Sequence, residues 1–579
     1  MGTQIRLLGP PSARRDGADV GLRGHKAWLL LGLLLLHNAP ISRDRLARML
    51  FVDAADAPAA LRWNLSQLRG CLGITLEGDP ITLRIPGDVS IDVRLLLGGD
   101  ADVAAELPGL DDELLAGLRT EGGSELAMWL DEERRHFHQL AVEVRQEAAL
   151  TLLGRGDVEA AVAYARQVAD ASPLDENASA LLVRCLRAAR RFSEASTVAT
   201  DAAARLREEL GVEPTGALWS AVAAAPGGDR RVTGRGAVVA QLEAGESAMN
   251  AGATDAGLAA LQSAVVAARA VHEPKLLARA LVALGSALIH GVRGVDQEGL
   301  ALLHEAVPLT KTIDDGVLAT NVCREIGYVD FLRGSYDRAG HWFERARQVA
   351  GASERELGWV DLYDGASSDD VGDAVKAAAL LERTVRTAQS ERDLRLEAFA
   401  LTLLGRHHLM QDDNATAITA LDSALEIVHA LDWIAFRSFT EALLADVVRR
   451  QGEFGRAREL SEHAFVLGEQ VGDPCWESIA LRSLGLVTVD SGDIKRGVAL
   501  LADAPGQCRR LPDTYRWIEL WGYDALVEVG GRYGLPGVHT WATRLEAEAS
   551  AMGMHPFSQR ARQQLSASPQ PGSRPHEKP

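Results

Sequence analysis

Long hydrophobic runs are missing from this 579-residue sequence. The most apolar segment, Ala27–His37, is eleven residues long, whereas a membrane-spanning helix needs roughly 20 residues. The segment begins 26 residues into the chain and lacks a small-residue cleavage site, so it does not have the pattern of a secretory signal. We therefore expect a core helix here, a cytoplasmic protein and no membrane partner.

Cysteine is also scarce. The chain has five cysteines, which are Cys71, Cys185, Cys323, Cys475 and Cys508. They are far apart and odd in number, and no two of them form a CxxC pair. This usage is typical of a reducing compartment and not of a disulfide framework or a zinc site. We expect buried thiols.

Lysine is nearly absent, because 55 of the 61 basic residues are arginine. The formal net charge of −19 argues against nonspecific coating of nucleic acid by the whole chain. The charge is unevenly distributed, however: residues 1–97 carry a net charge of +3 and the remaining residues carry −22. A slightly basic head on an acidic body indicates a small DNA-facing module followed by a long body that is kept away from phosphates.

The first 97 residues alternate between extended and helical patterns. Two short extended runs on either side of Asp16-Gly17 predict small strands. Helical patterns follow at about 25–37, after Ser42 as N-cap, and from Ala59 to about Leu72. A strand–helix–helix–helix order of this size is the beginning of a winged helix, in which the third helix enters the major groove of DNA.

The segment after the third helix alternates around two turn signals, 78–80 and 86–87. This alternation predicts a β-hairpin that closes the domain. In a winged helix, this hairpin would reach the DNA backbone beside the major groove.

Internal repeats dominate the rest of the sequence. Their template is a glycine, a small residue five positions later, an apolar residue nine positions later and an alanine twelve positions later. It fits Gly334–Ala346 without exception. Copies about 40 residues apart begin at Gly252, Gly294, Gly334, Gly372, Asp412, Gly452 and Gly492. Two further copies, 34 residues apart, begin at Gly156 and Arg190.

This period is typical of tetratricopeptide repeats, in which helix pairs stack into a superhelix because one pair cannot bury its own apolar face. We expect a mainly α protein, with a small α+β winged-helix domain followed by all-α tetratricopeptide-like repeats. The superhelix is expected to form a groove for a protein or small-molecule effector. Its aromatic residues are expected to lie mostly in the core: Trp342, Phe343, Trp359, Tyr363, Trp433, Phe436, Phe439, Trp476, Trp517 and Trp521.

Residues 1–97 resemble the OmpR-type winged-helix domain in "RLLGP", "LRGHKAWLLLGLLLLH", "PISRDRLARMLF" and "ALRWNLSQLRGCLG". Residues 98–224 resemble the bacterial transcriptional activator domain in "LPGL", "WLDEERRHF", "SPLDENA" and "LREELGVEPTGAL". In this order the two domains are similar to the actinobacterial antibiotic regulatory proteins, the SARP family. Residues 239–565 resemble the tetratricopeptide extension of its larger members.

The linker that we predict at 225–238 is too short for the ATPase domain that larger members often contain. No GxxxxGK[ST] motif occurs in the chain either, so we expect no ATP switching. The tail 566–579 is expected to be disordered. No spacing indicates a catalytic triad or a metal site, so we expect no enzymatic activity and no cofactor.

The resemblance implies a transcription regulator that binds direct repeats in double-stranded promoter DNA, as a homodimer or larger assembly, and contacts RNA polymerase holoenzyme. An activator is the leading hypothesis. A repressor would use the same DNA site. The main alternative to a DNA-binding regulator is a protein-interaction scaffold whose winged helix has lost its affinity for DNA, which the low charge of the third helix favours.

Residues at the family's groove-facing positions are the candidates for base contacts: Arg62, Asn64, Ser66, Gln67 and Arg69. Arginine can bind guanine O6 and N7, and asparagine or glutamine can bind adenine N6 and N7. The candidates for phosphate contacts are Lys26, Arg43, Arg45 and Arg84. The alternative for each is a solvated surface residue. Trp63 is expected to be exposed or half-buried, and packing between domains is favoured over stacking on a base.

Overall fold

The computed structural model describes residues 2–36, 41–97, 104–110, 112–120, 125–214, 218–219, 221, 234–250, 253–292, 296–349, 351–511 and 514–567. They form two compact units, Met1–Ala148 and Ala149–Pro579. Small sheets and three helices come first, and helices in series follow. The predicted fold class is therefore confirmed. No helix of these ranges is long and apolar enough to cross a membrane.

The strands of the first unit are short. They are β1 (Thr3–Arg6), β2 (Ser12–Arg15), β3 (Ala18–Asp19), β4 (Thr75–Glu77), β5 (Thr82–Arg84) and β6 (Val89–Ile91). One sheet has the order β3-β2-β1-β6, and β4 pairs with β5 in a separate antiparallel hairpin. The second turn signal was therefore misinterpreted. After it the chain returns to β1, where Ile91 lies opposite Ile5 in a parallel pair.

The helices that begin in the first unit are α1 (His25–Leu36), α2 (Arg43–Leu50), α3 (Ala57–Leu72), α4 (Asp92–Leu97) and α5 (Glu125–Arg155). Ser42 caps α2 as predicted, since its hydroxyl accepts from the backbone N–H of Arg45 at 3.3 Å. Helix α3 begins two residues before the predicted start at Ala59, with Asp56 as its cap. Pro58 fits in the first turn because its missing N–H would have no partner there.

One buried carboxylate joins the beginning and the end of the winged helix. Asp92 at the start of α4 accepts hydrogen bonds from the backbone N–H groups of Leu7 and Leu8, both at 2.8 Å. Its own helix also contributes the N–H of Val93. Burial raises the pKa of Asp92, although the three N–H groups act in the opposite direction.

The core of the first unit extends past residue 97. Leu8 forms a backbone bridge with Leu114, and Phe137 and Leu140 of α5 belong to the same apolar cluster as the leucines of α1 and α3. Arg134 of α5 reinforces this region, because its guanidinium donates to the carbonyl groups of residues 114, 115 and 118.

The second unit is helical throughout the ranges described. Its helices are α6 (Val158–Ala171), α7 (Glu176–Ala188), α8 (Phe192–Arg205), α9 (Arg235–Asn250), α10 (Thr254–Val271), α11 (Pro274–Gly291), α12 (Asp296–Thr310), α13 (Gly316–Leu332), α14 (Tyr336–Arg347), α15 (Glu354–Val371), α16 (Ala374–Glu391), α17 (Leu394–Met410), α18 (Asn414–Ala430), α19 (Ile434–Arg450), α20 (Phe454–Val471), α21 (Pro474–Asp490), α22 (Ile494–Cys508), α23 (Arg516–Tyr533), α24 (Val538–Ala551) and α25 (His555–Ala567). A π-helical turn, Leu206–Leu210, follows α8.

The repeat template predicts the turns between paired helices. Every described residue at which a copy begins has a left-handed backbone: Gly156, Arg190, Gly334, Gly372, Asp412, Gly452 and Gly492. Gly252 and Gly294 lie outside the described residues. Helix α9 already begins within the predicted linker, and α25 extends two residues into the predicted tail. The remainder of the linker, 225–233, and of the tail, 568–579, also lies outside the described residues.

Close helix crossings explain the small residue of the template. A Cβ atom built on Gly497 would lie 2.7 Å from the carbonyl oxygen of Gly485, on the partner helix. Gly299 approaches Gly285 in the same way, at 2.8 Å. At these two crossings only glycine permits the backbone approach, and in other copies the template position has alanine, so the position records a requirement for a small residue.

The array also makes contacts between helices far apart in the sequence. The buried guanidinium of Arg406 on α17 donates to the hydroxyl of Tyr515 at 2.8 Å and lies 4.4 Å from the ring centre of Trp517. The Tyr515 ring is 5.3 Å from that of Phe331 on α13. The ten aromatic residues of the array that are expected to lie mostly in the core are buried or half-buried.

The cysteine prediction was partly wrong. Cys475 at the start of α21 and Cys508 at the end of α22 form a disulfide, with their Cα atoms 4.4 Å apart. The remaining three are free, and Cys185 and Cys323 are buried. The paired residues are 33 positions apart in the sequence, so only the return of the second helix brings them together.

Candidate nucleic-acid interface

Helix α3 has an apolar stripe and an open face. The stripe consists of Leu61, Leu65, Leu68 and Leu72, which are all buried. It attaches α3 to α1 and α2 through a common core. The opposite face is available to a ligand, as the recognition helix of a winged helix requires.

Asn64 does not lie on the open face. Its side chain is 5% exposed, and its amide nitrogen donates to the carbonyl of Ala60 at 2.8 Å. A side chain three positions after Leu61 lies at the edge of the buried stripe, because helical neighbours are three and four residues apart. The expectation that Asn64 contacts a base is therefore corrected: it is part of the core edge.

Gln67 is half-buried and faces α1. Its side-chain oxygen accepts from the backbone N–H of Arg23 at 3.2 Å, and its nitrogen is 3.5 Å from the Arg23 carbonyl oxygen. The amide of Gln67 is thus engaged by the chain itself. The same contact fixes the position of Arg23, two residues before α1 begins. Arg23 is exposed, and it is not among the DNA-contact candidates predicted from the sequence.

Arg69 faces the hairpin formed by β4 and β5. Its Nε and Nη2 atoms donate to the carbonyl oxygen of Leu76, at 3.2 and 2.7 Å. Leu76 is the central residue of β4. The guanidinium therefore joins α3 to the β4–β5 hairpin, and part of its hydrogen-bonding capacity is already used.

The open face itself consists of Arg62, Trp63, Ser66 and Gly70, which are all exposed. Arg62 has no hydrogen-bond or ion-pair partner within the described residues. A Cβ atom built on Gly70 would meet nothing within 4 Å. Trp63 is 58% exposed, which agrees with the expectation of an exposed or half-buried side chain. Of the five residues predicted to contact bases, Arg62 and Ser66 lie on this face and form no side-chain hydrogen bond or ion pair with the other described residues.

The four candidates for phosphate contacts are in different environments. Lys26 is exposed at the start of α1, 5.3 Å from the ring centre of Phe51. Arg84 at the end of β5 is exposed and has no partner among the residues described. Arg43 donates through Nε to the carbonyl oxygen of Gly78 at 3.0 Å. Arg45 forms an ion pair with Glu125 at 2.6 Å, which a phosphate would have to disrupt.

The side chains of the open face can form ionic, hydrogen-bonding and apolar contacts. Neither the open face nor its borders bring together a nucleophile and a base. Within the described ranges, no group of three or more His, Cys, Asp or Glu side chains is placed to hold a metal ion.

Comparison with known proteins identifies the segment that follows the winged helix. Residues 110–224 match the bacterial transcriptional activator domain. Among curated proteins, none matches the chain.

Several solved structures are distantly similar. The Rap protein complexed with competence and sporulation factor is 14% identical and covers 57% of this chain and 98% of its own, with a TM-score of 0.41. The apo form of the quorum sensor NprR from B. thuringiensis is 10% identical to this chain. The match covers 57% of this chain and 98% of the NprR chain, with a TM-score of 0.37. Mycobacterium tuberculosis EmbR in complex with a low affinity phosphopeptide is 20% identical to this chain. The match covers 38% of this chain and 64% of the EmbR chain, with a TM-score of 0.31.

The motifs quoted from the sequence and the family match agree on the same part of the chain. Residues 110–224 are thus similar to the bacterial transcriptional activator domain, within the segment 98–224 whose motifs resemble that domain.

Proposed function

We propose that this protein is a sequence-specific DNA-binding transcriptional regulator and, more specifically, that it is an activator. The observation that carries the proposal is the open face of α3, whose leucine stripe is buried while Arg62 and Ser66 remain exposed. The activator domain that follows supports it. The proposal includes no catalytic activity and no cofactor, and we place the protein in the cytoplasm with its promoter DNA.

In this mechanism α3 lies in the major groove, which is about 12 Å wide and admits one helix. Arg62 and Ser66 contact base edges. Lys26 and Arg84 bind phosphates on either side, which sets orientation and salt dependence but not sequence preference. Gln67 and Arg69 hold α3 against α1 and the wing, so the surface is ordered before DNA arrives and less entropy is lost on binding.

The low number of unpaired cations implies weak binding by one protomer. Two protomers on direct repeats, together with a contact to RNA polymerase holoenzyme, would supply the missing affinity. We assign to the repeat array the binding of a protein or small-molecule effector, or the contact between protomers.

The alternative is a protein-interaction scaffold. Three of the candidate DNA-contacting cations are already engaged within the chain: Arg43 with Gly78, Arg45 with Glu125 and Arg69 with Leu76. This observation favours a domain that no longer binds DNA strongly.

Selection of duplexes from a random-sequence library by the full-length protein separates the two. A regulator enriches one sequence, and genome-wide immunoprecipitation finds that sequence upstream of genes. No enrichment, with a protein partner that co-purifies stoichiometrically, would establish the scaffold. Transcription in vitro with purified polymerase then decides between activator and repressor.

A further inference from the structure

Trp63 belongs to an exposed stripe along α3 that the base-reading prediction did not use. Residues 59, 63, 66 and 70 follow one another at steps of four, three and four, the spacing of one helix face. Trp63, Ser66 and Gly70 are exposed, and Ala59 is half-buried. This stripe lies opposite the buried leucines, so it forms the centre of the open face.

The indole of Trp63 is unusual in its surroundings. It is 58% exposed, and it makes no ring or cation contact within the described residues. A large aromatic side chain left in water forfeits the free energy that burial would provide. An exposed tryptophan in the middle of a candidate binding surface is therefore best explained by a ligand that covers it.

Its neighbours leave room for such a ligand. Ser66 is small. Gly70 lies two helical turns after Trp63, and a Cβ atom built on it would have no other heavy atom within 4 Å. The face next to the indole is thus shallow and nearly neutral, with Arg62 as its unpaired cation. A surface of this kind suits an apolar group better than an array of phosphates.

The major groove of DNA displays one apolar group at its base edges, the C5-methyl group of thymine. Stacking on a base would require an unpaired nucleotide, which a duplex does not offer. We propose that Trp63 is a specificity-determining residue that packs against a thymine methyl group. This inference rests on the proposed function, since it needs α3 in the major groove. It also accounts for the low charge of α3, because part of the reading is apolar.

Deoxyuridine tests the inference directly, because it pairs like thymidine but lacks the methyl group. In the duplex selected by the full-length protein, each thymidine is replaced in turn, and the dissociation constant is measured. Loss of one buried methyl group should weaken binding about fourfold at one position of each half-site. Trp63→Ala should bind the parent duplex about tenfold more weakly and lose the sensitivity at that position, whereas Trp63→Phe should retain it.

Trp219→Ala is the matched control, since Trp219 is an exposed tryptophan in the activator domain, and it should keep the wild-type pattern. Equal binding of every uridine duplex by the wild type would overturn the inference, as would a Trp63→Ala protein that keeps the sensitivity. So would intact DNA binding by Trp63→Ala with lost polymerase-dependent transcription, which would make Trp63 a protein contact. Failure to select any duplex would instead refute the proposed function, and the inference with it.

Discussion

Arg69 on the recognition helix donates two hydrogen bonds to the carbonyl oxygen of Leu76 in the wing, at 3.2 and 2.7 Å. A candidate for guanine contact in the sequence therefore also connects α3 with the β4–β5 hairpin, two parts of the proposed DNA-binding surface. Its substitution has to be interpreted with both roles in mind.

Arg69→Ala is expected to weaken DNA binding, because the wing loses the hydrogen bonds that attach it to α3, and hydrogen bonds of a charged group contribute about 1.5–3 kcal/mol. We expect a similar loss on duplexes that differ at single base pairs. Arg69→Lys should not restore binding, since an ammonium group cannot reproduce the two-nitrogen contact of a guanidinium. A loss confined to duplexes with guanine at one position would show instead that Arg69 reads that base.

Gly70 offers a site for increasing affinity. Gly70→Lys adds a cation to the open face without a clash, and lysine also favours helix over glycine by up to about 1 kcal/mol. The slope of log K against log salt should become steeper by about one unit. Gly70→Ala is the control, because it stabilises α3 without adding charge. An unchanged salt slope in Gly70→Lys would place this part of α3 away from phosphates.

Glu125 determines whether Arg45 is available. Glu125→Gln removes the carboxylate that holds Arg45 at 2.6 Å, and an exposed ion pair contributes at most about 1 kcal/mol to stability, so the fold should persist. If Arg45 binds phosphate, DNA affinity should rise at low salt and stay nearly unchanged at high salt. The double variant Glu125→Gln, Arg45→Ala should lose this gain. Equal affinities in wild type and Glu125→Gln would remove Arg45 from the interface.

The crossing of Gly497 and Gly485 is expected to tolerate no side chain. Gly497→Val places a Cβ atom 2.7 Å from the Gly485 carbonyl oxygen, and overpacking of this kind typically costs about 1–3 kcal/mol. The midpoint of thermal unfolding should fall. Gly506→Ala in the same helix has open space and should raise stability slightly. Equal midpoints for the two variants would show that the helices can separate at no cost.

His304 is expected to make the array sensitive to acid. Burial, followed by the charges of Arg338 and Arg345, lowers the pKa of His304 to about 3. In the unfolded chain His304 is protonated below about pH 6.5, whereas in the folded chain it stays neutral until the pH is much lower. The contribution of His304 to the free energy of unfolding is therefore complete above about pH 6.5. It is lost as the pH falls from there toward 3, at up to about 1.4 kcal/mol per pH unit.

His304→Gln keeps a polar partner for the Thr151 hydroxyl but cannot titrate. The fluorescence of Trp342, whose ring centre is 5.8 Å from that of His304, reports unfolding across this pH range. The variant should lose less stability than the wild type between pH 6.5 and 4. Parallel curves for the two proteins would show that other groups govern the response to acid.

The amino-acid sequence by itself determined features that depend on neighbours in the chain. The repeat template marked Arg190 and Asp412 as turn residues although neither is glycine, and both have a left-handed backbone. The leucine stripe of α3 and the cap at Ser42 follow from the same local rules. These features are predictable because helix periodicity, capping and chain reversal are satisfied within a few residues.

Only the tertiary structure decided which polar residues of α3 are available to a ligand. Gln67 is engaged by Arg23, 44 positions away in the sequence, and Asn64 lies at the edge of the core. The return of the chain from residue 86 to β1 and the pairing of Cys475 with Cys508 are equally non-local. These features have the same physical reason. A hydrogen-bonding or covalent partner is present only after distant segments pack together, and the periodicity of the sequence does not indicate which distant segments come into contact.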